Sequence, residues 1–549
     1  MTHYTIPLRK FLLQLLSISI ICVPAGLLGS FPEKTLIVMP PMNEIYHPVS
    51  TTNTDAQNHF DRGLAYIFAY NHDIAFQEFE IASKLDPALA MAYWGMAYAL
   101  GQNINQDVTP ANEIRAYNYT QHALKLSSNI STNEQKYISA LVQRYTNDSF
   151  ADLVPLRSKY RIAMKKVAED YPEDLDAATL YAESILDLNP WKWWTPAGQP
   201  TEGVVEAIAV LEAILMRDPD HIGANHFYIR AIEDSPYPER ALMSAYRLQY
   251  LFPESGQLIH ISTHIFLPVG DYENALKSGV NAVALDNEYF KKVGLTAGTY
   301  PLFYLSHNMS VLTRTYMLVE DYGNAIKTAL DTVKFVAPYF ENLPNMAPLA
   351  NVPLEVYMYF HKWDEILAYP LQAKTASAQA YWHFSRAMAH TALGNTDSAL
   401  TEKSLMIQFQ RQIPPVEEIA RNPASKVIEL AAILLEGSLA RAKKNYQGNL
   451  DALKKGVELQ DQLSYDEPPA WYVPVRQLLG FALLQQQQYN EAEVEFRATL
   501  KTIQRNGRTL FGLAQCLKNQ ERDIDAYWVE REMRAALRFS STALQLNDL

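Results

Sequence analysis

The sequence has few of the residues that build disulfide-stapled or flexible proteins. Among 549 residues there are 2 cysteines, Cys22 and Cys516, and 21 glycines. Cys22 lies in an N-terminal segment that we expect to be removed, so the mature chain is predicted to hold no internal disulfide. The low glycine content and 48% hydrophobic residues favour ordered, mostly helical structure over disorder.

Clusters of basic residues and known catalytic motifs are also missing. The net charge is −13, and Lys and Arg form no run beyond short pairs such as Lys165-Lys166. Nucleic acid is therefore not an expected partner, since binding it normally needs a basic stripe. There is no phosphate-binding loop, no Gly-x-Ser-x-Gly and no Cys-x-x-Cys. No catalytic residue is assigned, and a non-enzymatic role is favoured.

The longest apolar run stands at the N-terminus and is short for a membrane span. Arg9-Lys10 precede Phe11–Val23, whereas a span needs about 20 apolar residues. Residues 1–25 are predicted to be a signal peptide cleaved after Ala25. We therefore expect an exported protein, periplasmic or secreted, with no stable membrane span after cleavage. The alternative is that the segment is retained as an N-terminal membrane anchor.

Prolines are concentrated after this segment. Pro32, Pro40, Pro41 and Pro48 fall within residues 26–54, which are predicted to form an extended, proline-rich spacer.

Beyond residue 54 one sequence unit recurs at a fixed spacing. Ala207, Ala241 and Ala275 stand 34 residues apart, and Pro219 and Pro253 follow the first two where a helix must end. This period resembles the tetratricopeptide (TPR) repeat, a pair of antiparallel helices that stacks on its neighbours. The first repeat matches the TPR pattern at six positions: Gly63, Tyr66, Ala75, Phe79, Ala82 and Pro87.

The resemblance implies an all-α fold. Residues 55–549 are predicted to form a TPR-type α-solenoid, a right-handed superhelix of about 11 or 12 helix pairs without strands. Irregular loops are expected near 101–112, 189–203 and 291–305.

Three tryptophans lie in the second of these loops. Trp191, Trp193 and Trp194 stand among prolines, so the segment is a loop rather than a helix. So much aromatic surface either covers the ends of helices or lines a binding pocket, where tryptophan is favoured.

In TPR proteins fixed positions of the first helix of each pair face the concave groove. The TPR register places seven polar or charged residues of three successive units on this surface: His226, Arg230, Glu233, Asp234, His260, His264 and His307. We expect these groove residues, together with the three tryptophans, to contact a protein or peptide partner, and the acids favour a basic one.

A metal site is the alternative interpretation of the same histidines. His260 and His264 are four residues apart on one helix, the spacing that two ligands of one ion need. His226 lies on a neighbouring helix about 10 Å away. The candidate ligands of a transition metal are therefore His226, His260 and His264.

Several runs extend the resemblance beyond the generic repeat. Ala90–Gly95, Gly223–Ile229, Pro238–Leu242 and His264–Phe266 resemble a family of exported bacterial TPR proteins of similar length with no assigned activity. The likeness covers most of residues 55–515. Members often carry histidine where this chain has Arg230 and Ser310, a departure that argues against a catalytic metal site.

Taken together, these patterns predict an exported TPR protein that binds a protein or peptide in its concave groove, in an interaction or scaffold role. No cofactor is required for this role. The alternative function is a metal- or cofactor-dependent site built on His226, His260, His264 and His307.

Overall fold

A computed structural model of the protein describes residues 45–294, 300–540 and 544. All of these belong to one unit, Pro41–Leu549. The predicted signal peptide, residues 1–25, and the spacer up to residue 44 lie outside the described residues. Within the described part of the chain, no helix combines the length and apolarity that a membrane crossing requires.

The helices, in chain order, are α1 Thr54–Phe68, α2 His72–Leu85, α3 Ala90–Leu100, α4 Pro110–Leu126, α5 Thr132–Val142, α6 Val154–Asp170, α7 Leu175–Leu186, α8 Val204–Arg217, α9 Ile222–Ile232, α10 Leu242–Leu251, α11 Gly256–Ile261, α12 Thr263–Phe266, α13 Tyr272–Val293, α14 Ser306–Leu318, α15 Tyr322–Val336, α16 Val352–Tyr359, α17 Trp363–Ala368, α18 Ala376–Ala392, α19 Thr396–Gln410, α20 Ala424–Ala442, α21 Tyr446–Gln460, α22 Val475–Gln485, α23 Tyr489–Thr502, α24 Gly507–Asn519 and α25 Asp523–Ala536.

The first repeat shows how small residues bring the helices together. Asn53 caps α1 by accepting hydrogen bonds from the backbone N–H groups of the first turn. Gly63 of α1 and Gly95 of α3 both lie against the ring of Phe79 of α2, which is fully buried. A Cβ atom would come within 2.6 Å of that ring at Gly63 and within 2.5 Å at Gly95. Glycine is therefore needed at both contacts, because any side chain would push the helices apart.

The same arrangement recurs near the end of the described chain. Gly480 of α22 and Gly512 of α24 lie against Phe496 of α23, where a Cβ atom would come within 2.6 and 2.4 Å of the ring. Between these two ends, consecutive helices pack in pairs and each pair packs on the next. The prediction of an all-α, TPR-type fold built from stacked helix pairs is confirmed.

Two strands depart from the expected absence of strands. β1 Glu418–Ile419 and β2 Asn422–Pro423 pair antiparallel between α19 and α20. Their two-residue turn, Ala420-Arg421, has φ values of 45° and 55°. Left-handed residues at both turn positions match the twist of a hairpin, so the chain can reverse here without a longer loop.

Repeats that are distant in sequence also meet. The Tyr272 hydroxyl donates to the Gln504 carbonyl over 2.7 Å, and the Gln504 N–H donates to the Pro268 carbonyl over 3.2 Å. Arg508 binds the Glu320 carboxylate through two hydrogen bonds of 2.7 and 2.9 Å. The carboxy-terminal repeats therefore contact the middle of the chain.

Residues 45–53, the described part of the predicted spacer ahead of α1, form no helix or strand and include a tight turn in which the Thr51 N–H donates to the Val49 carbonyl over 2.8 Å. The His47 backbone N–H donates to Asp61 over 3.0 Å, and the Thr51 hydroxyl donates to Asp86 over 2.6 Å. This segment, the N-terminal strap, is thus tied to the helices by polar contacts.

Candidate functional site

Three histidine side chains meet in the middle of the chain. His260 of α11, His264 of α12 and His307 of α14 direct their Nε2 atoms at one another. The His260 Nε2 atom lies 3.1 Å from that of His264 and 2.9 Å from that of His307. The three residues, called here the histidine cluster, offer ligand atoms that all lie within 4.8 Å of one another.

Hydrogen bonding alone does not account for this geometry. An imidazole nitrogen carries either one N–H or one lone pair in the ring plane. The His260 Nε2 atom has two nitrogen neighbours at hydrogen-bond distance, yet it can form a well-directed bond with only one of them. A cation placed between the three nitrogens would accept all three lone pairs, so the cluster has the donor set of a metal site.

A buried carboxylate orients one of the three rings. The His264 Nδ1 atom lies 2.5 Å from Oε2 of Glu233, and Arg230 Nη1 lies 3.1 Å from the other oxygen of that carboxylate. A histidine that donates Nδ1–H to a carboxylate presents its Nε2 lone pair on the opposite side of the ring. This pairing is the usual support of a metal-binding histidine.

Burial also keeps the cluster in the protonation state that a metal needs. Burial lowers the pKa of His264 to about 3, and the charge of Arg230 adds to the effect. Burial, followed by the neighbouring histidines, holds the pKa values of His260 and His307 well below the usual range. All three imidazoles are therefore neutral near pH 7, with a lone pair available.

Two predicted acids follow the end of α9: Glu233 is buried and Asp234 is half-buried. Burial raises the pKa of Glu233 to about 7 against the opposing charge of Arg230. Burial and the charge of Glu233 raise the pKa of Asp234 to about 8. Glu233 therefore lies at the cluster through its contact with His264, and Asp234 follows it in the chain.

His226, the third predicted ligand, lies outside the cluster. Its Nδ1 atom is 2.6 Å from the Phe68 carbonyl of α1, and its ring meets that of Tyr70 edge to face at 4.8 Å. His307 rather than His226 completes the set beside His260 and His264. The physical reason is that α1 packs on α9 and contacts His226. Helix α14 instead carries His307, whose Nε2 atom contacts that of His260.

The histidines do not face an open groove. The exposed fractions of His226, His260 and His264 are 0%, 0% and 1%. The expectation of a concave surface free for a partner is therefore corrected at these residues. Helix α1 packs on α9 and contacts His226, and residues of the carboxy-terminal half line the cavity beside His307.

A cavity of about 600 Å³ adjoins the cluster. His307, Arg230 and Trp191 line it from the middle repeats. The carboxy-terminal half contributes further lining residues: Glu355, Arg421, Asp466, Glu467 and Tyr472. This second group was not predicted from the sequence, because no motif marks these residues and all but Glu355 of α16 lie between α-helices.

The tryptophan loop both covers helix ends and lines the cavity. The indole N–H groups of Trp193 and Trp194 donate to the carbonyls of Leu186 and Ala231, over 3.1 and 2.8 Å. Trp191 instead lines the cavity, from a backbone in the left-handed region with φ of 63°. A non-glycine residue held at positive φ is strained, a feature that often accompanies a functional position.

A second group of ligand-type side chains offers a contrast. His47, Asp174 and Asp176 also cluster, but each has an ordinary partner. His47 Nδ1 and His221 Nε2 lie 2.7 and 3.2 Å from the two oxygens of Asp176. The Tyr137 hydroxyl donates to Asp174 over 2.9 Å. These groups satisfy one another, so no ion is needed to explain their arrangement.

A second cavity of about 530 Å³ lies between α16 and the carboxy-terminal helices. Aromatic side chains, among them Tyr381, Phe384 and Trp471, line it. Glu355 and Tyr472 line both cavities. The two cavities therefore adjoin at this pair of residues.

No protein-family model and no curated protein match this sequence. Among solved structures, the Cut9–Hcn1 hetero-tetramer of the APC/C has a TM-score of 0.29 and 13% identity over 90% of this chain and 75% of the other. Yeast Tom70 has a TM-score of 0.30 and 12% identity over 89% and 98%. The human IFIT1 dimer with PPP-AAAA has a TM-score of 0.32 and 13% identity over 90% and 96%. Likeness at this level transfers no partner or activity.

Proposed function

We propose that the histidine cluster is a mononuclear transition-metal centre, and that the protein binds a ligand at this centre in the adjoining cavity. The observation that carries the proposal is the convergence of two Nε2 atoms, those of His264 and His307, on the single in-plane site of the His260 Nε2 atom. One well-directed hydrogen bond leaves one of these two contacts unsatisfied, whereas three imidazole lone pairs suit a first-row transition metal.

The surroundings of the cluster support a site with room for a ligand. Three protein ligands are the number found in zinc sites that keep one position for water or substrate. His307 belongs both to the cluster and to the cavity wall. A molecule in the cavity would therefore approach a bound metal beside His307. Glu233 would hold the His264 ring in place through its Nδ1 atom.

The test is metal analysis of the purified full chain after loading with zinc, copper or nickel. We expect one equivalent of metal, and none in His260→Ala, because two histidines no longer form a three-point chelate. His383→Ala is the control, since His383, like His264 of the cluster, contacts a carboxylate, that of Glu402, over 2.6 Å but lies outside the cluster. Loss of the metal from both variants, or no metal in the wild type, would refute the centre.

We also propose that the protein is exported. The support is the sequence of residues 1–25, which has the basic start and short apolar run of a signal peptide. N-terminal sequencing of the mature protein should begin near Gly26. A chain recovered intact from Met1 in the cytosol would refute export.

The second candidate is the interaction role, in which an extended peptide inserts apolar side chains into the second cavity. The observation that favours it is the aromatic lining of that cavity, including Trp471. Peptides selected from a displayed library should lose about tenfold or more in affinity with Trp471→Ala. Trp528→Ala, which removes a tryptophan that is 56% exposed on α25, should leave the affinity unchanged. Equal losses in the two variants would refute this site.

A further inference from the structure

Arg230 lines the first cavity with a side chain that is 1% exposed, and two of its nitrogen atoms lack a hydrogen-bond partner among the described residues. Its Nη1 atom contacts Glu233 and His264 at 3.2 Å each. Its Nε and Nη2 atoms have no hydrogen-bond partner among the described residues, although the side chain is buried and lines the cavity. Buried polar atoms in native proteins nearly always have partners, so these two atoms indicate a missing ligand.

The two free groups have a definite shape. Nε–H and Nη2–H lie on the same edge of a guanidinium and point in parallel. This fork matches the two oxygens of a carboxylate, which it binds bidentately. A lysine at this position could not reproduce the match, because an ammonium group is a point charge.

A second cation stands beside the first. The Cζ atoms of Arg230 and Arg421 lie 4.1 and 3.7 Å from the centre of the Trp191 ring. Arg421 occupies the turn of the β1–β2 hairpin, and its nearest acid is Asp466, with a nitrogen–oxygen distance of 3.4 Å. Two guanidinium groups against one indole create a positive region in the cavity wall.

Glu355 also lines this cavity, and one of its carboxyl oxygens is buried. Its Oε2 atom has no hydrogen-bond partner among the described residues. Burial raises the pKa of this side chain to about 8, so it is mostly protonated near pH 7. A protonated carboxyl group donates a hydrogen bond, and Glu355 thus adds a donor rather than a repelling charge.

We propose that the cavity binds a ligand through a carboxylate that accepts from Nε and Nη2 of Arg230, with Arg421 supplying a second positive charge beside the histidine cluster. This inference deepens the proposed function by naming the class of ligand, and it rests on that function for the placement of the ligand next to a metal.

The surroundings favour a carboxylate over a phosphate group. The fork supplies two parallel donors for a planar, singly charged group. Asp466 and Glu467 also line the cavity, and their charges would oppose the second charge of a phosphate more strongly than the single charge of a carboxylate.

The test is calorimetric titration of the full chain, both with EDTA and loaded with zinc. The probes are N-acetylphenylalanine, its amide, inorganic phosphate and a hexapeptide with a free C-terminal phenylalanine. The carboxylate should bind about tenfold to a hundredfold more tightly than the amide, even in EDTA. A hexapeptide as tight as the small carboxylate would identify a chain end as the source, and a weaker one a small molecule; either supports the subsite.

Variants separate the subsite from the metal centre. Arg230→Lys should weaken carboxylate binding by about tenfold or more in EDTA. Arg386→Lys is the control, since Arg386 also stacks on a tryptophan, Trp382, at 4.6 Å. If circular dichroism shows that Arg230→Lys is unfolded, the comparison of carboxylate with amide on the wild type and on Arg421→Lys decides the question.

Three results would overturn the carboxylate subsite. The first is equal binding of carboxylate and amide, and the second is phosphate binding more tightly than the carboxylate. The third is carboxylate binding only with zinc and unchanged in Arg230→Lys, because the metal alone would then hold the anion. Carboxylate binding in EDTA by a chain that takes up no metal would instead refute the metal centre and leave the subsite standing.

Discussion

The first repeat and the histidine-bearing repeat bury opposite kinds of side chain with the same helix-pair architecture. Helix α1 runs without interruption over Thr54–Phe68 and closes on its neighbour through Gly63 and Phe79. The corresponding helix of the later repeat is broken at Ser262 into α11 and α12, and it buries His260 and His264. The first repeat buries apolar side chains at its helix contacts, whereas the histidine-bearing repeat buries polar side chains that converge.

Buried polar atoms without a hydrogen-bond partner among the described residues occur in both regions. In the first repeat they are Tyr70 Oη, Asn71 Oδ1 and His72 Nε2, at the turn between α1 and α2. In the later repeats they include His260 Nδ1 and the Nε and Nη2 atoms of Arg230, and both residues contact His264 of the cluster. Unpartnered buried groups destabilise a fold. The histidine-bearing region is therefore distinguished by the convergence of ligand-type side chains rather than by unpartnered atoms alone.

The largest loss of stability is expected from a substitution in the first repeat. Phe79→Ala removes a fully buried ring and should lower the free energy of unfolding by about 3–5 kcal/mol. Phe150→Ala makes the same change at a side chain that is 94% exposed and should cost no more than about 0.5 kcal/mol. Urea unfolding followed by circular dichroism measures both. Similar midpoints for the two variants would contradict the role of Phe79 as the packing centre.

A bound metal should stabilise the protein through the histidine cluster alone. Zinc at about 1,000 times its dissociation constant should add about 4 kcal/mol to the free energy of unfolding, and His307→Ala should abolish the gain. The gain should persist in Phe79→Ala, because distant sites contribute independently. Thermal unfolding with zinc and with EDTA measures the difference. A zinc effect that survives in His307→Ala would place the ion elsewhere.

A smaller loss of stability is expected from a substitution at Ala241, a predicted helix contact. Ala241, at the start of α10, is fully buried. Ala241→Tyr should overpack the helix contact and cost about 1–3 kcal/mol or more, whereas Ala241→Ser should be milder. Urea unfolding compares them. Unchanged stability in Ala241→Tyr would mean that the repeat register is misplaced.

The smallest effect concerns pH and the N-terminal strap. Burial would lower the pKa of His47, but the hydrogen bond and charge of Asp176 outweigh burial and raise it. Burial would raise the pKa of Asp176, but hydrogen bonds from His221 and His47 hold it below its usual range. The His47 contribution is complete below about pH 6.5 and is lost as the pH rises through the folded pKa. The Asp176 contribution is present above about pH 3.8 and is lost as the pH falls through its folded pKa.

The strap should therefore be held most firmly between about pH 4 and 6.5. Limited proteolysis within residues 45–53 should be slower at pH 5.5 than at pH 8.5, with rates corrected for the protease on an unfolded peptide. His47→Phe should remove this difference. A pH dependence that is unchanged in His47→Phe would exclude the His47–Asp176 pair as its cause.

The repeat pattern predicted much of the fold because its signals are local. The spacing of Gly63, Ala75 and Phe79 reports helix contacts within one pair, and the structure has those contacts. The candidate site was less predictable. The four-residue spacing of His260 and His264 alone predicted that they lie close together, and they do, although the structure divides their helix at Ser262. The position of His307 depends on the segment between α13 and α14, which departs from the 34-residue period.

By itself the sequence determined the helices, their pairing and the small residues at their contacts, because each depends on neighbours a few positions or one repeat away. Tertiary structure alone decided that the predicted groove histidines His226, His260 and His264 are buried. It also decided that His307 rather than His226 joins His260 and His264, and that Arg421 stands beside Arg230 at Trp191. The physical reason is that these contacts join segments far apart in the chain. Their geometry depends on the accumulated rotation of every repeat between them and on loops outside the repeat register, which no local pattern encodes.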